Sequence, residues 1–387
     1  MVRRRERSAP GSSAAGRLTP PSSSLDACAS ASAAELGDDA GVTAASSAPD
    51  PAATEHTDDD AASSHRRADD PAPVSTPTIV EATPRPLNLL ILSRGSRLYS
   101  TRRLVEAAVA RGHAVRVVDH TRCYVEVRTS GPTVFYDGEP LVDIDAIIPR
   151  IGASVTEYGS SIVRQFETQG VFSATPSLAL ARARDKLRSL QVLARDRVAI
   201  PHTLFARRAG DLDDLLERLG GPPVVIKLLE GTQGVGVVLA ETKKAAKSVL
   251  QAFEGLKADV IVQEFIREAK GADLRVIVVG GRVVAAMRRV GAPGEFRANV
   301  HQGGSTEKVT LTRKERALAV RAAKSLGLPI AGVDMLRSER GPLVIEVNAS
   351  PGLEGIESAS NVDVAGAIIQ WVEEHLPKKR RRDRVGA

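Results

Sequence analysis

No Phe, Trp or Tyr occurs before residue 87, so all 12 aromatic residues of the chain fall in its later part. That asymmetry limits what the chain can fold into more than any other feature. Residues 1–86 also hold 10 of the 22 prolines, 8 Arg, no Lys and 13 Asp or Glu, a net charge of −5. A segment rich in Ala, Ser, Asp and Pro, without aromatics, cannot bury enough apolar surface to offset the entropy of ordering it. It reads as a disordered low-complexity tail. Any core lies within residues 87–387, which carry +11 and end in the basic run Lys378–Arg384, itself +5. The remaining stretch, roughly 290 residues, is long enough for more than one core.

Other classes drop out quickly. The two cysteines, Cys28 and Cys123, are split between tail and body. Neither a disulfide framework nor a thiolate metal cluster is possible, and a reducing, cytoplasmic setting fits. No run approaches the roughly 18 apolar residues of a membrane span. Arg3, Arg4, Arg5 and Arg7 are not followed by the apolar stretch of a secretory signal. Asp38, Asp39 and Asp58 to Asp60 argue against a transit peptide, which would be poor in acids.

The body opens on Leu87–Leu92, a short apolar run ended by Ser93-Arg94-Gly95-Ser96. It predicts a buried strand leaving into a loop. A helix stopping at Arg111-Gly112 follows, then strands at Val115–Val118 and Ala146–Ile148, the latter ending in Pro149-Arg150-Ile151-Gly152. Strand, helix, strand implies a small α/β unit with parallel strands. It lacks the G-x-G-x-x-G turn of dinucleotide binders. Further on, a helix is expected over 184–195 and strands over 224–229, 236–239 and 260–265. A hairpin turns at Gly280-Gly281. Thr312-Arg313-Lys314-Glu315 is a capping box, and its helix stops at Gly327. Strands follow at 331–336 and 343–348, with a last helix near 362–375.

Three patterns carry possible chemistry. In the strand 343–348, Glu346 and Asn348 share a face, and Asp334 lies in the preceding strand. If the two strands pair, three oxygen ligands converge, which suits a hard cation such as Mg²⁺. The plainer alternative is the polar face of an edge strand. The loop Glu230–Gly236 places Gly231, Gly234 and Gly236 where backbone amides can approach an anion. An ordinary flexible hairpin would look the same, but Lys227 inside the apolar strand before it calls for a partner, because an unpaired buried ammonium is costly. Ala183-Arg184-Asp185-Lys186, Gln263–Ile266, Asp273-Leu274-Arg275 and the 294–304 loop read equally well as solvated charges on local grounds.

Taken together, Ala183–Lys186, Val225–Gly236, Gln263–Ile266 and Glu346–Gly355 resemble the ATP-grasp ligases, and more closely the RimK family. Leu92-Ser93-Arg94, Leu98-Tyr99-Ser100 and Ile148–Gly152 extend the likeness to the front of the body. The resemblance covers about 87–375. It implies an α/β (α+β) body, a Rossmann-like pre-ATP-grasp domain over 87–183 and an ATP-grasp domain of two lobes over 184–375. Composition adds the disordered extension over 1–86, which departs from the family pattern, and a basic tail over 376–387.

For the site, the resemblance implies Lys227 and Lys186 on the ATP phosphates, and Gly231, Gly234 and Gly236 in the loop over them. Glu264 and Phe265 would flank the adenine. Asp273, Arg297, Ala298 and Asn299 would add nucleotide contacts, and Arg275 would face an acyl-phosphate. Asp334, Glu346 and Asn348 would hold Mg²⁺ or Mn²⁺, as two ions. The implied reaction is ATP-dependent addition of L-glutamate to the C-terminal tail of a small-subunit ribosomal protein. The basic end Lys378–Arg384 would suit contact with ribosomal RNA. No membrane partner is implied, and a homo-oligomer is compatible with the family. Two other readings stand beside this one. The same fold could add glutamate to a pterin or deazaflavin coenzyme or a carrier protein, or be a non-catalytic, RNA-associated relic. Intact Asp334, Glu346, Asn348 and Lys227 argue against a relic. On sequence grounds alone, Asp334→Ala is expected to abolish ADP formation while leaving the fold intact, as ADP release and circular dichroism would together show.

Overall fold

The computed structural model describes residues 85–129, 131–229, 236–298 and 303–377. Nearly all of the 1–86 tail, the basic run Lys378–Arg384, Gly231, Gly234 and Asn299 lie outside them. The described residues all fall within one unit of the chain, Ile79–Ala387.

The front unit forms as its apolar periodicity predicts. Strand β1 (Asn88–Leu92), helix α1 (Tyr99–Ala110) and strand β2 (Ala114–Val118) make a parallel crossover. A small antiparallel excursion follows, β3 (Cys123–Glu126), β4 (Thr133–Tyr136) and β5 (Glu139–Pro140). The polar, turn-rich sequence there hides it from periodicity. Then come β6 (Ala146–Pro149), α2 (Thr156–Thr168), β7 (Phe172–Ser173) and α3 (Ser177–Arg184). The resulting sheet has the order β2-β1-β6-β7, all parallel. Its central strands β1 and β6 are continuously apolar, as burial on both faces requires, while β2 at the edge alternates and exposes Arg116.

The expected helix over 184–195 is two helices. α3 ends at Arg184, and Asp185 leaves helical geometry (φ −80°, ψ 104°) to cap α4 (Lys186–Arg195) by accepting from Arg188 N–H. A short aspartate competes with the backbone for hydrogen bonds and so favours the cap. The break turns Arg184 and Lys186 into residues of two different helices.

The second sheet is antiparallel. Strand β8 (Thr203–Ala206), helix α5 (Leu212–Arg218), β9 (Val224–Leu228), β10 (Val237–Ala240), α6 (Lys243–Gly255) and β11 (Val260–Glu264) arrange as β10-β9-β11-β8. Its core of Val224, Ile226, Ala246, Leu250, Val260 and Val262 is separate from the others.

The third sheet contains β12 (Ala272–Val279), β13 (Arg282–Val290), β14 (Ser305–Lys308), β15 (Ile330–Ser338) and β16 (Gly341–Asn348) in the order β14-β13-β12-β15-β16, with α7 (Arg313–Leu326) packed on it. Gly280 (φ 58°) and Gly281 (φ 75°) supply the left-handed pair that a two-residue hairpin turn needs. The Thr312–Glu315 capping box is formed on both sides. Helices α8 (Glu354–Ser360) and α9 (Val364–His375) close the chain.

These last helices tie the front unit to the third sheet. One core joins Leu89, Ile91 and Leu104 with Ile277, Met287, Ile368 and Trp371. Tyr99 donates to Glu357 at 3.0 Å, and Arg103 reaches both Glu357 and Asp363. The front sheet and the third sheet are therefore one packed body, while the second sheet carries its own core. No helix among the described residues is long and apolar enough to cross a membrane.

One contact controls the segment Pro149–Gly152 that leaves β6. A Cβ on Gly159 of α2 would lie 2.5 Å from Ile151 Cγ2, and Gly159 is itself buried. Gly159→Ala should therefore destabilise the protein by about 1–3 kcal/mol through overpacking, despite alanine's better helix propensity. Equilibrium urea unfolding reads this, and an unchanged midpoint would refute the close packing.

Candidate active site

Register places the acidic residues side by side. β15 and β16 are antiparallel with Asp334 opposite Glu346 and Gly332 opposite Asn348. Asn348 Nδ2 comes within 3.5 Å of Asp334 Oδ2. Pairing shifts just past Asp334, so that Met335 faces Val344 and Ile345 is the extra residue of a bulge. The bulge explains why Val344 is fully buried although strict alternation groups it with Glu346.

Asp334 sits in a buried ladder of charge that sequence reasoning did not foresee. Arg275 of β12 grips both its oxygens at 2.8 and 2.7 Å. Arg289 of β13 lies 3.1 Å from it and grips both oxygens of Asp273 at 2.6 Å. Burial alone would raise both carboxyls. At Asp334 the two guanidiniums outweigh burial and hold the group below the usual carboxylate range. Asp273 is gripped by Arg289 alone, so burial, helped by the charge of Asp334, outweighs Arg289 and the more distant Arg275 and pushes it up to about 6. The signal for Arg289 was in the sequence, a charged residue within an apolar strand, but Arg288 beside it masked the parity.

Glu346 is of another kind. Water reaches it, yet protein surrounds it closely, as on a cleft wall. Desolvation and the charge of Asp334 push its carboxyl up, against the pull of Arg275, Lys227 and Lys186. Among the described residues it has no hydrogen-bond or ion-pair partner. Two adjacent carboxylates and an amide, one carboxylate unrelieved, suit a hard divalent cation with oxygen ligands, so the donor set fits Mg²⁺ or Mn²⁺.

The cations converge from other elements. Lys227 of β9 donates to Gln263 of β11 at 2.7 Å, and Gln263 in turn donates to Thr203 at 2.8 Å. Lys186 of α4 donates to the carbonyls of Leu228 and Leu229 at 2.8 and 2.9 Å. Burial lowers both lysines, Lys227 to about 8, although Glu346 pulls the other way. One cleft thus gathers Lys186, Lys227, Arg275, Asp334, Glu346 and Asn348 from five elements. Gly236 borders it at φ 74°, and a Cβ there would meet Leu228 at 2.6 Å.

The remaining predicted residues form a second group at the end of β11. Glu264 accepts from His202 N–H and from Arg340 of the β15–β16 turn. Phe265 meets Phe296 edge to face at 6.4 Å. Arg297 pairs with Glu295 at 2.8 Å and lies over the Phe296 ring, and Glu295 is drawn down to about 2 by Arg297. Ala298 is buried. Asp273, by contrast, is occupied by Arg289 and serves the charge ladder. A shallow groove of about 600 Å³ at α7, lined in part by Arg282, Arg316 and Arg321, includes none of these residues. Among the described residues, no three His, Cys, Asp or Glu side chains cluster as a metal site, because the third ligand here is an amide.

Comparison with known proteins places the chain in a family. Residues 183–372 match the RimK-like ATP-grasp domain family, and residues 87–180 match the RimK PreATP-grasp domain. A protein of Aliivibrio fischeri named "Probable alpha-L-glutamate ligase" is 60% identical over 294 residues, covering 76% of this chain and 98% of its own. One of the same name from Teredinibacter turnerae is 58% identical over 298 residues, covering 77% and 99%. Among solved structures, a RimK domain protein ATP-grasp from Sphaerobacter thermophilus superposes with a TM-score of 0.58 at 23% identity, covering 73% of this chain and 98% of that one.

The ladder changes what a substitution at Asp334 does. Asp334→Ala leaves Arg275 and Arg289 without their shared carboxylate, so the loss should be about 3–5 kcal/mol of stability as well as any ligand contact. A variant of lowered stability is therefore expected, where the sequence alone led to the expectation of an intact fold. Glu346→Gln keeps the shape and removes a charge that the fold disfavours, so stability should hold or rise. Chemical denaturation of both variants checks this, and equal losses would sink the distinction.

Proposed function

The chain belongs to the RimK-like ATP-grasp family, and from that premise we propose that it is an ATP-dependent alpha-L-glutamate ligase that extends the C-terminus of a small-subunit ribosomal protein. What supports the reading most is the cleft in which Lys186, Lys227 and Arg275 surround Asp334, Glu346 and Asn348. Identity of 60% to a protein named "Probable alpha-L-glutamate ligase" supports the glutamate-ligase part of the reading. The basic run Lys378–Arg384 favours an acceptor on the ribosome, through attraction to RNA phosphates.

A carboxylate is a poor electrophile, and joining it to an amine in water is uphill. ATP solves both difficulties in two steps. The acceptor's carboxylate oxygen attacks the γ-phosphorus, and the bond to the β–γ bridging oxygen breaks, giving an acyl-phosphate and ADP. The glutamate amine then attacks the acyl carbon, loses a proton, and inorganic phosphate leaves. Phosphoryl transfer asks the protein mainly for position and charge. Lys227 and Lys186, half-desolvated in the cleft, bind the phosphates. Arg275, held rigid by Asp334, faces the charge that develops on the transferring group. Asp334, Glu346 and Asn348 would hold Mg²⁺ or Mn²⁺, expected as two ions, and the metal would supply neutralisation of phosphate charge. Glu264, Phe265, Arg297 and Ala298 flank the adenine end. The family resemblance implies that the glycine loop 231–236, of which only Gly236 is among the described residues, would shield the acyl-phosphate from water.

Two outcomes test the reading. Purified protein with ATP, Mg²⁺, glutamate and the ribosomal protein should give a ladder of added glutamates by mass spectrometry. ADP formed only with a small coenzyme acceptor would reassign the substrate. The second concerns pH. Free Lys227 loses its proton as pH rises through about 8. A triphosphate favours the protonated form. ATP affinity should therefore be full below that value and fall above it, by up to about tenfold per pH unit. Lys227→Arg stays charged throughout and should flatten the curve. A wild-type Kd for ATP that is constant between about pH 7 and 9.5 would contradict the phosphate role.

A further inference from the structure

Two arginines next to this cleft form no ion pair among the described residues. Arg150 leaves β6 and donates to the Pro351 carbonyl at 2.6 Å. Arg184 ends α3 and donates to the Ile151 carbonyl. Each uses one donor on a backbone oxygen out of the five a guanidinium carries. Among the described residues neither forms an ion pair, and Arg184 Nε is buried without a hydrogen-bond partner. The nearby Ser350 Oγ, which precedes Pro351, is also buried and unpartnered.

The pair repel each other. Burial, then the charge of Arg184, lowers Arg150 to about 10, and burial lowers Arg184 as well. Glu346 is the carboxylate whose field reaches Arg184, from beyond ion-pairing distance. Both side chains remain partly open to water although protein closes around them, which places them on the wall of a concavity. A fold that packs two like charges together, with two orphan polar atoms beside them, is organised for an anion that the polypeptide does not supply.

The anion's shape follows from the donors. Two planar guanidinium forks and a hydroxyl match a planar carboxylate held by paired hydrogen bonds. The position follows from the chain. Ser350 and Pro351 directly follow the strand that carries Glu346 and Asn348, so a carboxylate held here stands beside the reacting centre.

We infer that Arg150, Arg184 and Ser350 form a carboxylate-binding subsite that positions a substrate carboxylate next to the phosphoryl-transfer cleft. The carboxylate belongs either to the incoming glutamate or to the acceptor's terminal residue. This rests on the ligase reading for its substrate, but the pairing of the two arginines with a carboxylate stands apart from it.

The test separates the two. Calorimetric titration with glutarate, a bare dicarboxylate, is run on the full chain loaded with ADP and Mg²⁺. Wild type should bind, and Arg150→Lys, Arg184→Lys and Ser350→Ala should each weaken binding at least about tenfold, as loss of a bidentate or buried hydrogen bond does. The lysine variants keep the charge and one donor for the carbonyl contacts. Ser350→Ala removes a hydroxyl with no partner, so its thermal midpoint should match wild type and a folding defect cannot explain its loss. Steady-state kinetics then identify the source. A raised KM for glutamate alone assigns the incoming amino acid, and a raised KM for the acceptor peptide alone assigns the acceptor. If the variants bind glutarate like wild type, or only the KM for ATP changes, the subsite is overturned. Absence of glutamate-dependent ADP formation in wild type would instead overturn the ligase reading, with the glutarate titration still deciding the arginine pair.

Discussion

Asp334 shared between Arg275 and Arg289 is the interaction on which the rest of this structure depends. Ionised groups are expensive to bury, and the expense is offset only where the geometry is close to ideal. Here two bidentate contacts, Arg275 on Asp334 and Arg289 on Asp273, are joined by a third. The ladder crosses β13, β12 and β15, so it locks the register of three strands at the level where Glu346 and Asn348 project from the fourth. A slip of one residue would turn every side chain to the other face and leave two arginines unpaired. The ladder is thus a specification of register as much as a source of stability.

The same arrangement explains the electrostatics of the cleft. Lys186, Lys227, Arg150 and Arg184 are all held below their ordinary protonation range by burial, and Glu346 is held above its own. Each is a charge that the protein alone solvates poorly. A ligand bearing phosphates, a carboxylate and a bound cation would relieve all of them together. Affinity and positioning then come from the same desolvation, because a fixed dipole or charge in a cleft need not reorganise when the ligand arrives.

The layout of cores sets which parts can move. The front sheet and the third sheet share apolar contacts through α1, α8 and α9, whereas the sheet that carries Lys227 has a core of its own. Lys227 and the Asp334–Glu346 pair therefore belong to separately packed layers. They meet through the contacts of Lys186 with the Leu228 and Leu229 carbonyls, of Arg340 with Glu264, and of the Phe265 ring with Phe296.

Much of this was legible in the residues. Apolar runs bounded by Gly, Pro and caps located most of the long elements, the Gly280-Gly281 turn and the Thr312 capping box, because these depend on local periodicity and backbone preference alone. The motif around Glu346 and Asn348, with Lys227 inside an apolar strand, pointed to cation and phosphate chemistry before any contact was known. The short strands between Cys123 and Pro140 and the helix break at Asp185 escaped, since a few polar residues carry no period. What only the tertiary structure decided is who partners whom. Asp273 and Asp334 look alike in sequence, yet one braces Arg289 and the other is divided between two arginines beside Glu346. The pairing of Arg150 with Arg184 joins residues 34 positions apart. A partner across a sheet or between layers is set by register and packing, and a buried charge takes its meaning from that partner. The sequence by itself determined the elements and the kinds of group available, and the folded chain determined which of those groups are satisfied and which still wait for a ligand.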